Sequence, residues 1–374
     1  MKTYAHMVGI LLTLVIVACS DLADSHTDNQ NPIPLDFTVV LKSSSGLTAT
    51  MLENEGENLK ISETKSMFPG FALPDVMYRT ANTLSLYHKI DACTGEFLLY
   101  DFQNDSELLL EAFPNLETCN ITVTAITHTN DRFFISYVLE LPAKERKFFV
   151  RTINTSSENK EFEDLEISKK PVAIVPANNR LFILTLDEEI TDENGMVVVE
   201  LLTGETIHEM NLGYNVGKIF ADSNTDIIIS YPELHTTLNS QTLKVVHTQY
   251  EAGTEPGFTD SESIFFDRSG KMYYQMGTND GTTETIPAVY DFSTNTGILY
   301  FFENFLTENQ LNATFNIAAT TAIAFDGKND HILIGYRKNG AEGKGGILRI
   351  TPSPDLTFVD NLNLSKIPFG FYTK

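Results

Sequence analysis

Short apolar runs broken by polar turns recur along most of the chain. The segment 171–185 has an apolar run, a polar turn at Asn178 and a second apolar run. The same arrangement occurs at 219–229, 264–274 and 323–334. Two short apolar runs joined by Asn, Asp, Gly or Ser are typical of a β-hairpin. The pattern therefore predicts an all-β protein built from repeated hairpins.

The hairpin turns are spaced regularly. They recur 45 to 60 residues apart, at Asn82, Asn130, Asn178, Asn224, Ser269 and Asn329. A repeat of this length that is made of strands is typical of a β-propeller, whose blades are four-stranded antiparallel sheets. Apart from a helical turn or two near 303–312, we expect no helix.

The two ends of the chain decide the number of blades. The segment 367–372 resembles an innermost strand that has no hairpin partner after it, whereas 35–41 and 47–52 resemble strands with no innermost strand before them. Joining them in one blade closes the ring and removes two exposed sheet edges. We therefore predict seven blades. Eight would need a hidden repeat in the longest spacing, and six would leave the N-terminal strands outside the ring.

The N-terminus has the pattern of an export signal. Lys2 precedes an apolar run over 8–18, which is too short for a membrane-spanning anchor. The run ends in Ile16-Val17-Ala18-Cys19, which resembles the lipobox of bacterial lipoproteins. The resemblance implies a signal peptide over residues 1–18 and lipid attachment at Cys19. An acidic, disordered tether over 19–31 and a single propeller domain over 32–374 would follow.

Export signal and blade repeat together resemble the lipoprotein β-propellers of Bacteroidota and related Gram-negative bacteria. This resemblance implies a lipid-anchored protein at the outer membrane or the cell surface, with the membrane as a partner through its N-terminal lipid. Some such lipoproteins accompany outer-membrane transporters and capture nutrients. No residue motif specific to that function occurs in this chain.

Charge and cysteine content narrow the function further. The net charge of −24 disfavours nucleic acid as a partner. After lipidation of Cys19 only Cys93 and Cys119 are left, and in an oxidising compartment we expect them to form a disulfide. The common catalytic motifs are absent, so we expect neither a catalytic residue nor a metal or other cofactor. We expect a monomer.

We expect ligand binding on the face of the ring that carries the longer loops, which includes both of these cysteines. Six cations in two of these loops could hold an anionic ligand at the channel mouth or could be solvated loop charge: Lys144, Arg146, Lys147, Arg337, Lys338 and Lys344. Two histidines, His88 and His235, could reach the same face. The acidic loop 187–195 could bind Ca²⁺ or be a plain hairpin. The aromatic run 300–305 could line a pocket or be buried.

These observations favour a lipid-anchored, non-catalytic propeller that binds a small anionic ligand or a partner protein. An outer-membrane transporter is the partner that the resemblance suggests. The alternatives are a propeller hydrolase or lyase that acts on extracellular glycan, and an adhesion or structural module.

Overall fold

The computed structural model describes residues 34–56, 58–62, 64–67, 76–91, 93–116, 118–155, 160–278 and 283–374. These residues form seven antiparallel sheets arranged as the blades of a propeller. Each blade has four strands, and blade one carries an additional two-residue strand. The predicted fold class and blade number are confirmed.

Blade one contains both ends of the described chain. Its strand order is β29-β1-β2-β3, with β4 paired to β2. The strands are β1 (Phe37–Ser43), β2 (Gly46–Glu55), β3 (Asn58–Ile61), β4 (Lys65–Ser66) and β29 (Ile367–Thr373). In the register of β1 and β29, Val39 lies opposite Phe371 and Val40 lies opposite Gly370. The C-terminal strand therefore closes the ring as the sequence predicted.

The other six blades follow in chain order without interruption. Blade two comprises β5 (Val76–Arg79), β6 (Thr83–Lys89), β7 (Gly95–Asp101) and β8 (Ser106–Glu111). Blade three comprises β9 (Ile121–His128), β10 (Arg132–Glu140), β11 (Arg146–Asn154) and β12 (Glu161–Ile167). Blade four comprises β13 (Lys170–Ala177), β14 (Arg180–Leu186), β15 (Asn194–Glu200) and β16 (Thr206–Gly213). Blade five comprises β17 (Lys218–Ala221), β18 (Ile227–Ser230), β19 (Leu234–Leu238) and β20 (Val245–Gln249). Blade six comprises β21 (Ile264–Phe266), β22 (Met272–Gly277), β23 (Thr285–Asp291) and β24 (Thr296–Leu299). Blade seven comprises β25 (Ile317–Asp326), β26 (His331–Lys338), β27 (Gly345–Ile350) and β28 (Phe358–Leu364).

Burial explains why the middle strands are continuous apolar runs. In β18 and β27 every residue is buried, since neighbouring blades cover both faces of the sheet. Most residues of the outer strands β16 and β20 are exposed or half-buried. Among the described residues, each pair of adjacent blades shares one apolar cluster. The core is thus a circle of interfaces between blades, and each fully buried Ile or Leu contributes about 1.5–3 kcal/mol.

Aspartates fix several of the tight turns between first and second strands. The Oδ1 atom of Asp222 accepts a hydrogen bond from the backbone N–H of Asn224 at 2.8 Å, and Asp267 does the same for Ser269 at 2.8 Å. Asp326 accepts from the N–H of Lys328 at 3.1 Å. An aspartate that bonds the backbone two residues later imitates a backbone turn. The polar positions of the repeat are therefore structural.

The strands run alternately up and down, so the ring has two faces. The turns between first and second strands and between third and fourth strands lie on one face, which we call the short-turn face. The turns between second and third strands and the connections between blades lie on the other, which we call the loop face. Cys93, between β6 and β7, and Cys119, before β9, form a disulfide with their Cα atoms 4.0 Å apart. The predicted cystine therefore joins two segments of the loop face.

The longest spacing between turns contains an irregular connection between blades six and seven. It includes a 3₁₀ turn over Phe302–Asn304 and a π-helix over Gln310–Phe315, close to the helical turn expected from the sequence. Phe302, Leu311 and Phe315 are buried in the cluster that these two blades share. The additional residues cover a blade interface and form no eighth blade. Further 3₁₀ turns occur at Thr118–Asn120, Pro142–Lys144 and Phe258–Asp260.

The expected signal peptide over residues 1–18, the lipid-bearing Cys19 and the tether over 19–31 lie outside the described residues. Within the described part of the chain, no helix is both long enough and apolar enough to cross a bilayer.

Candidate ligand-binding site

On the loop face, two of the three cations at the β10–β11 turn have carboxylate partners. The guanidinium of Arg146 donates to Glu188 at 3.0 Å and to Glu189 at 3.2 Å. Lys147 forms an ion pair with Glu166 at 3.2 Å. Lys144, in the same turn, is exposed. The positive charge of Arg146 and Lys147 is therefore largely compensated by neighbouring strands and loops.

The second group of loop-face cations lies between β26 and β27. Arg337 donates to Glu284 at 2.6 Å, and the Nζ atom of Lys338 donates to the Oδ1 atom of Asn363 at 2.6 Å. Lys344 is exposed. In each group two of the three cations are bound by neighbouring residues, and no contact between the two groups occurs among the described residues. Their role in ligand binding stays a prediction.

The two candidate histidines differ in exposure. His88 is half-buried in β6. His235 is only 1% exposed, so it does not face the loop surface as expected. Its Nδ1 lies 2.9 Å from the hydroxyl oxygen of Tyr250, and the rings of Phe258 and Tyr290 contact its imidazole edge to face. Burial lowers the pKa of His235 to about 4. This histidine is a neutral part of the interface between blades five and six.

The two other loop features also have structural roles. In the acidic hairpin, Asp187 pairs with Lys169 at 3.2 Å and Glu188 pairs with Lys170. Within the described residues, no group of three or more His, Cys, Asp or Glu side chains is arranged to hold a metal ion. In the aromatic run, Tyr300 and Phe302 are buried. The hairpin is an ion-paired loop, and the aromatic run is mainly core.

A cavity of about 820 Å³ opens on the opposite, short-turn face. Blades six and seven contribute the turns 267–271 and 327–330, and blade one contributes both of its ends, at Asp36 and Lys374. Blade two contributes Ala81. Four consecutive blades therefore surround one concave space that is large enough for a small organic molecule.

Aromatic side chains form a wall of this cavity. The rings of Tyr273 and Phe325 are stacked with their centroids 5.1 Å apart and their planes 8° apart. Phe37 and Phe265 lie 6.1 Å apart between their ring centroids. Phe265 and Phe325 are half-buried, so part of each ring faces the open space. Such a wall can pack against an apolar or ring-shaped ligand.

Most carboxylates of the cavity are engaged by the protein itself. Asp267 accepts hydrogen bonds from the N–H groups of Ser269 and Lys271 and from the hydroxyl of Tyr273, the last at 3.2 Å. Burial, reinforced by the negative charge of Asp267, raises the pKa of Tyr273 above its ordinary value. Asp36 forms an ion pair with Lys328. These groups hold the shape of the cavity.

Cations at the rim differ in their partners. Lys328 is paired with Asp36, and the Nζ atom of Lys374 lies 3.1 Å from the sulfur of Met51. Arg268 and Lys271 are exposed and form no ion pair with any described residue. Lys374 also forms no ion pair with a described residue, so an anion can approach three cations of this site without displacing a carboxylate.

No pattern in the sequence predicts this site. The segment Asp267-Arg268-Ser269-Gly270-Lys271 predicts only a hairpin turn. Two cations within one tight turn of a very acidic chain were the available signal. The convergence of four blades and of both chain ends could not be read from local spacing.

A smaller cavity of about 340 Å³ lies between blades three and four, near their outer edges. Its lining includes Glu161, Glu163 and Arg132, and the guanidinium of Arg132 donates to the carbonyl of Leu201. It has no aromatic wall, and its cation is already engaged. We therefore regard the cavity on the short-turn face as the candidate site.

Comparison with known proteins places the chain by fold. No protein-family model matches the sequence, and no curated protein matches it significantly. Among solved structures, it is similar to proposed 6-phosphogluconolactonases from Bacteroides fragilis (TM-score 0.54, 11% identity, covering 94% of this chain and 99% of that one) and Bacteroides uniformis (0.52, 9%, 91% and 100%). A periplasmic gluconolactonase from Pseudomonas aeruginosa is comparably similar (0.53, 9%, 90% and 97%). The likeness establishes the propeller fold alone.

Proposed function

We propose that this protein is an exported, lipid-anchored binding protein that holds a small ligand in the cavity on its short-turn face. The single observation that carries the proposal is the cavity itself: about 820 Å³, walled by aromatic rings and formed by four rigid blades. Ligand sites are typically preformed concave spaces with an apolar wall and a few polar groups. Nutrient capture beside an outer-membrane transporter is the physiological role that fits such a protein.

Binding without catalysis is supported by the state of the polar groups. Of the described residues that line the cavity, none is a histidine or a cysteine. Asp267 and Asp326 use their carboxylates to hold turns, and Asp36 is ion-paired. A carboxylate that is already satisfied is a poor general base, since taking a proton breaks its hydrogen bonds.

The absence of tryptophan from this chain allows a direct test. The Phe325→Trp variant would place one indole in the cavity wall, and the Tyr214→Trp variant would place one on the exposed loop face. We expect bound 8-anilinonaphthalene-1-sulfonate to quench the indole of Phe325→Trp at least threefold more than that of Tyr214→Trp. Equal quenching in the two variants would contradict binding in the cavity.

A blocking variant completes the test. A Cβ atom at Gly327 would lie 3.5 Å from the ring of Phe325, so Gly327→Trp can fill the cavity without backbone strain. Gly297→Trp, on an exposed outer strand, is the matched control. We expect dye affinity to fall at least tenfold in Gly327→Trp alone. If the wild-type protein hydrolysed gluconolactone or a glycan, and Gly327→Trp did not, the catalytic alternative would replace this proposal.

A further inference from the structure

The cavity on the short-turn face has an asymmetric set of available charges. Arg268 and Lys271 extend from one tight turn at its rim and have no ion-pair partner among the described residues. Because both side chains are exposed, they retain their hydration and can exchange water for an anion at little cost. Two cations on one turn also reinforce each other's field at the mouth of a concave site.

Most negative groups of the same cavity have partners within the protein. Asp36 is paired with Lys328, and Asp267 and Asp326 each accept hydrogen bonds from their own turns. Asp330 is the exception, since it is exposed and lies on the neighbouring turn of blade seven. The lining thus contains four aspartates and four cations, and among these cations Arg268 and Lys271 are exposed and form no ion pair with a described residue.

The loop-face cations provide an internal comparison. Arg146 and Arg337 each donate to a glutamate at 3.0 Å or less, so an anion that bound there would have to replace an existing ion pair. Arg268 and Lys271 impose no such replacement. They also lie on one turn beside an aromatic wall, whereas the exposed Lys144 and Lys344 lie in separate loops of the other face.

We propose that the ligand of this cavity is a small organic anion: one carboxylate or phosphate group on an apolar or ring-shaped body. The anionic group contacts Arg268 and Lys271, and the body packs against the half-buried rings of Phe265 and Phe325. This inference rests on the proposed binding function and specifies its ligand class. The aromatic wall alone would accept a neutral molecule equally well, so the two cations determine the preference.

Two dyes that differ in charge test the inference. 8-Anilinonaphthalene-1-sulfonate and N-phenyl-1-naphthylamine have the same ring system, and only the first carries an anionic group. We expect the wild-type protein to bind the anionic dye at least tenfold more tightly than the neutral dye. The Arg268→Glu/Lys271→Glu variant should lose at least tenfold in affinity for the anionic dye and change less than twofold for the neutral one. Competition by benzoate and by phenyl phosphate then distinguishes carboxylate from phosphate preference.

The matched control is Lys144→Glu/Lys344→Glu, which changes the net charge by the same amount through two exposed cations on the loop face. It should bind both dyes within twofold of the wild type, and thermal unfolding should confirm that all variants are folded. Equal binding of the two dyes, unaffected by Arg268→Glu/Lys271→Glu, would overturn the anion preference and leave the binding function intact. If Gly327→Trp lowered the affinity for neither dye, the binding function itself would be refuted.

Discussion

Two histidines lie inside the blade interfaces as neutral side chains. His128 contacts the hydroxyl oxygens of Thr83 at 2.9 Å and Ser85 at 3.1 Å, and His235 contacts that of Tyr250. Burial lowers the pKa of each to about 4 from an ordinary value of 6.5. Each imidazole therefore stabilises the fold in its neutral form, and protonation of either imidazole at low pH destabilises the folded protein.

The consequence is a defined pH window. Above pH 6.5 both histidines are neutral in the folded and the unfolded chain, so their contribution to stability is complete. Between pH 6.5 and 4 the unfolded chain binds protons that the folded chain does not. Each histidine then lowers the free energy of unfolding by up to about 1.4 kcal/mol per pH unit.

We expect His235→Asn to reduce this acid sensitivity. The amide can still hydrogen-bond to Tyr250 but does not titrate, so the loss of unfolding free energy between pH 6 and 4.5 should be smaller by about 1.5–2 kcal/mol than in the wild type. Urea unfolding at several pH values measures this loss of unfolding free energy. His247→Asn, at an exposed position on an outer strand, is the control. An unchanged pH profile for His235→Asn would show that His235 is not neutral in the folded protein.

At the scale of single residues, the sequence predicted the turns better than it predicted the surroundings of the candidate binding residues. The polar positions at Asn224 and Ser269 correctly marked hairpins, because an aspartate two residues earlier closes each turn through a short-range hydrogen bond. The burial of His235 depends on rings from the next blade, at Phe258 and Tyr290, which no local pattern reveals. Local chemistry could therefore be predicted, and contacts between blades could not.

At the scale of strands, a buried ion pair joins the third strand to the fourth in blade three, and another does so in blade seven. In blade seven, Arg349 on β27 donates to both oxygens of Asp360 on β28 at 2.7 Å. The pair also reaches blade one, since Arg349 donates to Asn54 and Asp360 accepts from the N–H of Leu59 at 2.6 Å. Blade three has the corresponding pair, Arg151 with Asp164. The pair of blade seven therefore couples two sheets in addition to the apolar cluster that they share.

We expect Asp360→Ala to be strongly destabilising, because it leaves a buried guanidinium without its carboxylate. The loss should be about 3–5 kcal/mol. The double variant Arg349→Met/Asp360→Leu removes both charges and should lose less than Asp360→Ala alone. Glu166→Ala, which breaks an exposed ion pair with Lys147, should cost less than about 1 kcal/mol. A double variant as unstable as Asp360→Ala would show that the destabilisation does not come from an uncompensated charge.

The whole ring is closed by strand β29. It pairs with β1 along six residue pairs and inserts Phe369, Phe371 and Tyr372 into the two clusters that blade one shares with its neighbours. Thr373 donates its N–H to the carbonyl of Ala81 in blade two at 2.8 Å. This closure could be predicted because both ends of the sequence showed incomplete blades. The cavity beside it could not, since it exists only after the ends have met.

Closure and the candidate site therefore depend on one another. Deletion of residues 365–374 removes β29 and exposes the edge of β1. Three aromatic side chains at about 1.5–3 kcal/mol each are lost from a fold whose total stability is of the order of 5–15 kcal/mol. We expect the truncated chain to lose cooperative thermal unfolding and to associate through the open edge, as seen by light scattering after size-exclusion chromatography.

A shorter deletion separates the two roles. Removing only residues 373–374 leaves most of β29 but eliminates the hydrogen bonds from these residues to Ala81 and Asp36, together with one wall of the cavity. This variant should stay monomeric and folded while it binds 8-anilinonaphthalene-1-sulfonate several-fold more weakly. Adding a peptide of residues 365–374 to the longer truncation should restore both a cooperative transition and dye binding. Normal unfolding of the longer truncation without the peptide would mean that blade one does not need its C-terminal strand.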